Sequence, residues 1–331
     1  MAEYKGIQGY SVQSLASDPS PTASVVGQLW YNSTSSSYKI AIAGPGVWAA
    51  GNPRSTGVQG AFGTGSQTAA ITMGGNLLPG VLSYNCETYD GTSWTEVNNI
   101  LARRYNGSAA GNSTAALIFG GTNNLPAPGT LSFTESWDGT CWTEVNNLLG
   151  GSSHQAENIG TQTAALSVGG TIAGSKDTTV SYNGTCWTEL NDLSGDIGNT
   201  GGCGTSTAAL IFGGGITPGL NGTQTWNGTS WCTANNTLTG RNSPGSAMQA
   251  SNTTALMFGG STPGTTDKTE EYDGTSWSEV GDLSGPITQN CGFGIQTAAL
   301  TTSGLNTGPP SITLATQVWT SGPGVVTFTD S

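Results

Sequence analysis

Eight residues recur six times along this chain with little change, which restricts it to folds assembled from like units. The copies are 68–75 (TAAITMGG), 114–121 (TAALIFGG), 163–170 (TAALSVGG), 207–214 (TAALIFGG), 253–260 (TTALMFGG) and 297–304 (TAALTTSG). Their starts lie 46, 49, 44, 46 and 44 residues apart, the period of radial β-architectures. A second signature falls between copies: 89–94 (YDGTSW), 137–142 (WDGTCW), 182–187 (YNGTCW), 226–231 (WNGTSW) and 272–277 (YDGTSW). A closed ring of small sheets follows, with function to be sought on its loops.

The octapeptide is too short for a helix and rich in Thr, Ala, Ile, Leu and Phe. It therefore predicts a strand apolar on both faces and ended by glycines. Such a strand belongs inside, between neighbouring sheets. The terminal glycines permit positive φ and close approach of another backbone or an aromatic side chain. The Asp-Gly or Asn-Gly of the second signature predicts a hairpin with a type I′ turn, both central residues taking positive φ. A small-residue segment before each octapeptide, such as 106–111, supplies an innermost strand for a crowded central channel. Each repeat then has four strands. One repeat cannot bury its own apolar faces, whereas six set around an axis can.

Gly-Gly closing one strand, then a Tyr or Trp, then a Trp, at this period, resembles the kelch repeat of β-propellers over about 57–320. The resemblance implies an all-β, kelch-like β-propeller of six blades, with a seventh, incomplete blade as the alternative. The sixth unit departs from the pattern: Ser303 stands for the first Gly, and Gln317-Val318-Trp319 leads into Gly322-Pro323-Gly324 with no following Trp. The segment from Tyr38-Lys39-Ile40 through Gly44-Pro45-Gly46 to Val47-Trp48 resembles the missing hairpin and is expected to close the ring. The expected organisation is an arm over 1–27 and a propeller over 28–331.

With 52 glycines and 8% charged residues in 331, the composition suits turn-dense β structure, and ten Trp at mostly regular intervals argue for burial rather than disorder. Eight Lys plus Arg against 20 Asp plus Glu give a net charge of −12, and no basic stripe serves a nucleic-acid backbone. No apolar run suits a signal peptide or a membrane span, so maturation in a cytoplasm is expected. Cys86, Cys141, Cys186, Cys203, Cys232 and Cys291 show no CxxC spacing and are expected to be small buried or half-buried thiols, with neither metal nor cofactor. Acceptor-like triplets such as Asn183-Gly184-Thr185 are explained by the turn without glycans.

In up-and-down blades the second-to-third and blade-to-blade connections share one face and the tight turns share the other. The loops 76–83, 122–132, 171–178, 215–223, 261–269 and 305–313 vary in length on a constant frame, which is where recognition usually sits. Arg103, Arg104, His154, Lys176, Arg241 and Lys268 collect in these connections and are the candidate binding residues. Catalytic machinery is sparse: one histidine, no HExxH, no phosphate-cradling loop and no nucleophile elbow. Glu96, Glu144, Glu189 and Glu279 follow each Trp by two residues and read as a repeat feature, leaving Asp177, Asp196, Asp267 and Asp282 as acids by location only.

The arm differs from the repeats. Ile7-Gln8-Gly9-Tyr10-Ser11-Val12 alternates and Asp18-Pro19-Ser20-Pro21 breaks the chain, so Tyr4, Ile7, Tyr10 and Val12 are candidates for adding a strand to a neighbouring protein. The next residues, GQLWYNST over 27–34 with Tyr38-Lys39-Ile40, resemble a segment near the start of bacteriophage tail and fibre proteins. That resemblance implies a non-enzymatic virion protein, made in a host cytoplasm. Its expected partners are other virion proteins, further copies of itself, and a host surface glycan or protein. A cytoplasmic kelch-type interaction module and a propeller glycan-active enzyme are the alternatives.

Overall fold

A computed structural model describes residues 12–17, 28–44, 46–77, 80–123, 129–151, 159–171, 176–215, 221–306, 311–321 and 323–327. The chain forms two compact units, Val47–Thr320 and a smaller one of Met1–Gly46 with Ser321–Ser331. The ring expected over 28–331 thus begins at Val47.

Among its described residues the larger unit holds six four-stranded antiparallel sheets. In the second, Ser108–Asn112, Ala115–Phe119, Thr134–Trp137 and Trp142–Val145 pair in sequence order. The first strands of the six are Phe62–Ser66, Ser108–Asn112, Ile159–Thr161, Gly201–Thr205, Gly245–Ser246 and Cys291–Ile295. Each lies beside the next and the sixth lies beside the first, so the cycle closes as a β-propeller. The fourth strand of blade 6 is Val47–Gly51, which pairs with Thr316–Thr320 and sets Trp48 opposite Trp319. Closure by Val47-Trp48 matches the expectation; the expected contribution of 38–40 does not. Ser37–Ala43 instead pairs with Leu29–Asn32 and Pro323–Thr327 in the smaller unit, across the Gly44-Pro45-Gly46 break.

The octapeptide strands are the core: Ala116, Leu117, Ile118 and Phe119 are fully buried, as are their counterparts Ala209 to Phe212. Blades join through aromatic pairs, in which the Phe ending a second strand meets the Trp of the next blade edge-on. Phe119–Trp187, Phe212–Trp277 and Phe258–Trp48 each have centroids 4.9 Å apart. The same Trp donates its indole N–H to the Thr that opens the previous blade's third strand. Trp94 to Thr316, Trp187 to Thr134, Trp231 to Thr179, Trp277 to Thr223 and Trp48 to Thr269 span 2.9–3.3 Å. Blade 1 has Cys86 at this position, and Trp142 bonds the Asn98 carbonyl at 3.2 Å instead. An outer ladder follows the same logic: Asn52, Asn98, Asn146, Asn191 and Asn235 each donate to a carbonyl in the next blade's tight turn. Gly281 stands where the sixth step would start, and blade 6 has no such turn to receive it.

The tight turns differ from the predicted type I′. Only the glycine takes positive φ, as Gly91 at 94° and Gly184 at 91° do. Tyr89 pairs with Trp94, leaving a four-residue loop in which Asp90 Oδ1 accepts the N–H groups of Thr92 and Ser93 at 2.8 and 2.7 Å. The side chain supplies what a second positive φ would have supplied. At the octapeptide's end both glycines are at positive φ, and Ser303 adopts the same conformation at 62°.

On the loop face, residues at positive φ precede the first strands: Gly60, Asn106, Asn199, Ser243 and Gln289. Their backbones bond from blade to blade around the axis, Asn106 N–H to Gly60 O, Gly60 to Gln289, Gln289 to Ser243 and Ser243 to Asn199, at 2.8–3.3 Å. A Cβ on Gly60 would meet Asn106 Oδ1 at 2.3 Å, so a side chain there would have to displace that amide.

In the smaller unit Gln13–Leu15 runs parallel to Leu29–Asn32, which continues antiparallel into Ser37–Ala43 and then Pro323–Thr327. Val12 is exposed beside the first of these strands. Tyr4, Ile7 and Tyr10 lie outside the described residues.

Candidate functional site

The expected loop face exists. Blade-to-blade connections bridge directly to second-to-third loops at Gln59 and Asn76, Tyr105 and Thr122, Lys176 and Ile197, Asn242 and Ser261, and Thr266 and Ile287.

Two candidate binding residues prove structural. Arg104 and Arg241 are fully buried and ion-paired to Glu135 and Glu270, the second residues of the third strands of blades 2 and 5. Each guanidinium also reaches two carbonyls, Arg104 to Gly120 and Phe133, Arg241 to Gly259 and Lys268. The glutamates accept backbone N–H groups as well, Glu135 from Leu101 and Ala102, Glu270 from Leu238 and Thr239. The pair fixes each blade-to-blade loop and leaves no charge for a ligand. Arg54 and Glu87 form a third pair in blade 1, and Arg54 Nη1 bonds Ser303 Oγ at 2.8 Å. Burial pushes the Arg54 and Arg104 pKa values down while their carboxylate partners push them up. Gln224 and Gln317 hold the glutamate's position in blades 4 and 6 and accept the N–H of Ser194 and Ser284. The signal was a Glu after the first residue of the third strand with an Arg about 30 residues upstream, which recurs in blades 1, 2 and 5 and fails in blade 3, where Val180 takes the place.

Lys268 is engaged by Glu279 at 2.5 Å and Asp282 at 2.9 Å, and these carboxylates hold it above the usual lysine range. Asp282 also caps Thr269 N–H at 3.2 Å. Lys176 is half-buried on the loop face, and His154 lies outside the described residues.

Arg103 is exposed and stacks over Tyr84, its guanidinium carbon 4.7 Å from the ring centroid. No described carboxylate pairs with it. Around it the loops of blades 1 to 3 expose apolar side chains: Leu101 at 61%, Leu149 at 63%, Phe133 at 39% and Tyr84 at 38%. Hydrogen bonds tie together the segments that carry these side chains. Ile100 N–H binds Tyr84 O, Leu101 N–H binds Glu135 beside Phe133, and Leu148 N–H binds Ser132 O. Sequence reasoning found Arg103 and missed its apolar neighbours, because exposure of a leucine beside a buried one is set by the loop's path. The strip joins a fixed cation to aromatic and aliphatic area, as protein recognition surfaces do.

Three of the six thiols differ from expectation. Cys86, Cys203 and Cys291 are buried, but Cys141 and Cys186, which end tight turns that face solvent, and Cys232, on the fourth strand of blade 4, are exposed. All six are free. Burial pushes Cys86 and Cys203 up to about 12, whereas the Asp138 carboxylate raises Cys141. Among the described residues no group of three or more His, Cys, Asp or Glu could hold a metal ion.

No protein-family model matches the sequence, and no curated protein matches it. Among solved structures, that of YjhT is similar over 80% of this chain and 95% of its own, with a TM-score of 0.66 at 12% identity. At that identity the likeness concerns the fold, and it agrees with the ring of sheets in making this chain an all-β propeller.

Proposed function

We propose that the ring is a kelch-type, non-enzymatic recognition scaffold of a bacteriophage particle, and that it binds its target through the strip of Tyr84, Leu101, Arg103, Phe133 and Leu149. The observation that carries the recognition half is this set of exposed apolar side chains on hydrogen-bonded neighbouring loops, with a stacked cation that no described carboxylate pairs. The particle half rests on the resemblance of 27–34 and 38–40 to phage tail and fibre proteins. Mass spectrometry of purified particles tests the second half, and absence of the chain from them rejects it. Adsorption to host cells by particles carrying Tyr84→Ala, Leu101→Asp and Arg103→Glu together tests the first. Loss of adsorption with normal incorporation is expected, and unchanged adsorption rejects the strip as the binding surface.

A further inference from the structure

Blade 5 carries two extra residues where its first strand meets the axis. Its paired residues Gly245 and Phe258 lie 13 apart in sequence, where Phe62 and Met73, Ser108 and Phe119, Gly201 and Phe212, and Cys291 and Thr302 lie 11 apart. The surplus makes a turn over 247–250, closed by Ala250 N–H to Ala247 O at 3.0 Å. Gln249 leaves this turn to cross the ring: its side-chain amide donates to Gly111 O of blade 2 at 3.3 Å, and its N–H donates to Gly294 O of blade 6 at 2.8 Å. Met248 is buried beside it.

A cavity of about 380 Å³ lies against this turn, lined by residues of blades 1 to 5 and therefore on the axis. It sits at the ends of the first strands that lead into tight turns, opposite the loop face. Small-molecule sites span about 300–1,000 Å³, so one small ligand fits.

Among the described residues the lining holds no ionisable side chain. Its amides are anchored at one end: Asn112 Oδ1 accepts Thr114 and Ala115 N–H groups at 2.9 Å, and Gln162 Nε2 donates to Trp137 O at 2.5 Å. That leaves Asn112 Nδ2, the Oε1 atoms of Gln162 and Gln249, and the hydroxyls of Thr161 and Thr163 without a partner among the described residues. Donors and acceptors are thus pre-oriented and neutral, while Met248 and glycine backbone offer apolar contact. A cation would find no carboxylate here, and an anion would meet a protein of net charge −12 with no compensating base.

We propose that this axial cavity binds a small, uncharged, polyhydroxylated ligand of monosaccharide size. Titration with glucose, galactose and N-acetylglucosamine, followed by saturation-transfer and amide-shift NMR, is expected to show binding of at least one, with shifts at Gln162 and Gln249. Gln249→Ala should weaken it about tenfold, the loss of one good hydrogen bond, while the protein keeps a cooperative melting transition. Thr163→Trp, at an exposed turn position, should abolish it by filling the cavity. Arg103→Glu should leave it unchanged, which separates this site from the recognition strip. Absence of shifts with all three sugars at millimolar concentration, equal binding of glucuronate, or binding that survives both cavity variants overturns the proposal.

Discussion

Arg103 and Arg104 are adjacent and chemically identical, yet one stacks on Tyr84 in solvent and the other is sealed against Glu135. Arg104→Ala should cost about 3–5 kcal/mol by stranding a buried carboxylate, whereas Arg103→Ala should change stability by no more than about 0.5 kcal/mol. Denaturant unfolding of the two variants checks this contrast. The thiols divide in the same way. An aromatic disulfide reagent should label Cys141, Cys186 and Cys232 in the native protein and all six cysteines in denaturant. Asp138→Asn should speed labelling of Cys141, whose thiol the carboxylate raises. Native labelling of Cys86 or Cys203 would contradict their burial.

At the scale of elements, closure depends on one short strand. Trp48 takes the place of a hairpin Trp: its indole bonds Thr269 at 3.0 Å and its rings meet Phe258 and Trp319. Trp48→Ala should cost about 3 kcal/mol, the lower end of the range for a Trp in a packed interface. Removing 1–51 should lower the melting temperature sharply, whereas removing 1–46 together with 321–331 should retain a cooperative transition. Equal melting of the two truncations in a calorimetric scan would count against closure by Val47–Gly51. The Trp of blade 6 was legible because its repeat lacked one. The redirection of Ser37–Ala43 was not, since a strand's partner is chosen by which edge it reaches, and here Pro323–Thr327 lies along it.

Across the whole molecule the turn carboxylates act alike. Backbone N–H groups of Ser93 and Thr92 hold Asp90 below the usual carboxylate range, as those of Cys141 and Thr140 hold Asp138 and those of Ser276 and Thr275 hold Asp273. A folded-state pKa below the unfolded one adds stability above the unfolded value, about 3.9, and loses it as pH falls through the folded value. The melting temperature should therefore decline below about pH 4 in part through these turns. The triple variant Asp90→Asn, Asp138→Asn and Asp273→Asn, which reproduces the side chains of Asn183 and Asn227, should show a shallower decline. An identical acid profile would show that the turns contribute nothing to it.

By itself the sequence determined the repeat, the four strands in each, the burial of the octapeptides and the separation of a regular face from a varied one. These follow from local pattern: apolar runs, Asx-Gly turns and a fixed period act within one unit and recur with it. Tertiary structure decided which of two neighbouring arginines faces water, which cysteines are exposed, and that two extra residues in blade 5 reach across the axis to blade 2. Each of those outcomes depends on a partner in another strand or blade, Glu135 for Arg104 and Gly111 for Gln249, and no local pattern specifies a partner 31 or 138 residues away.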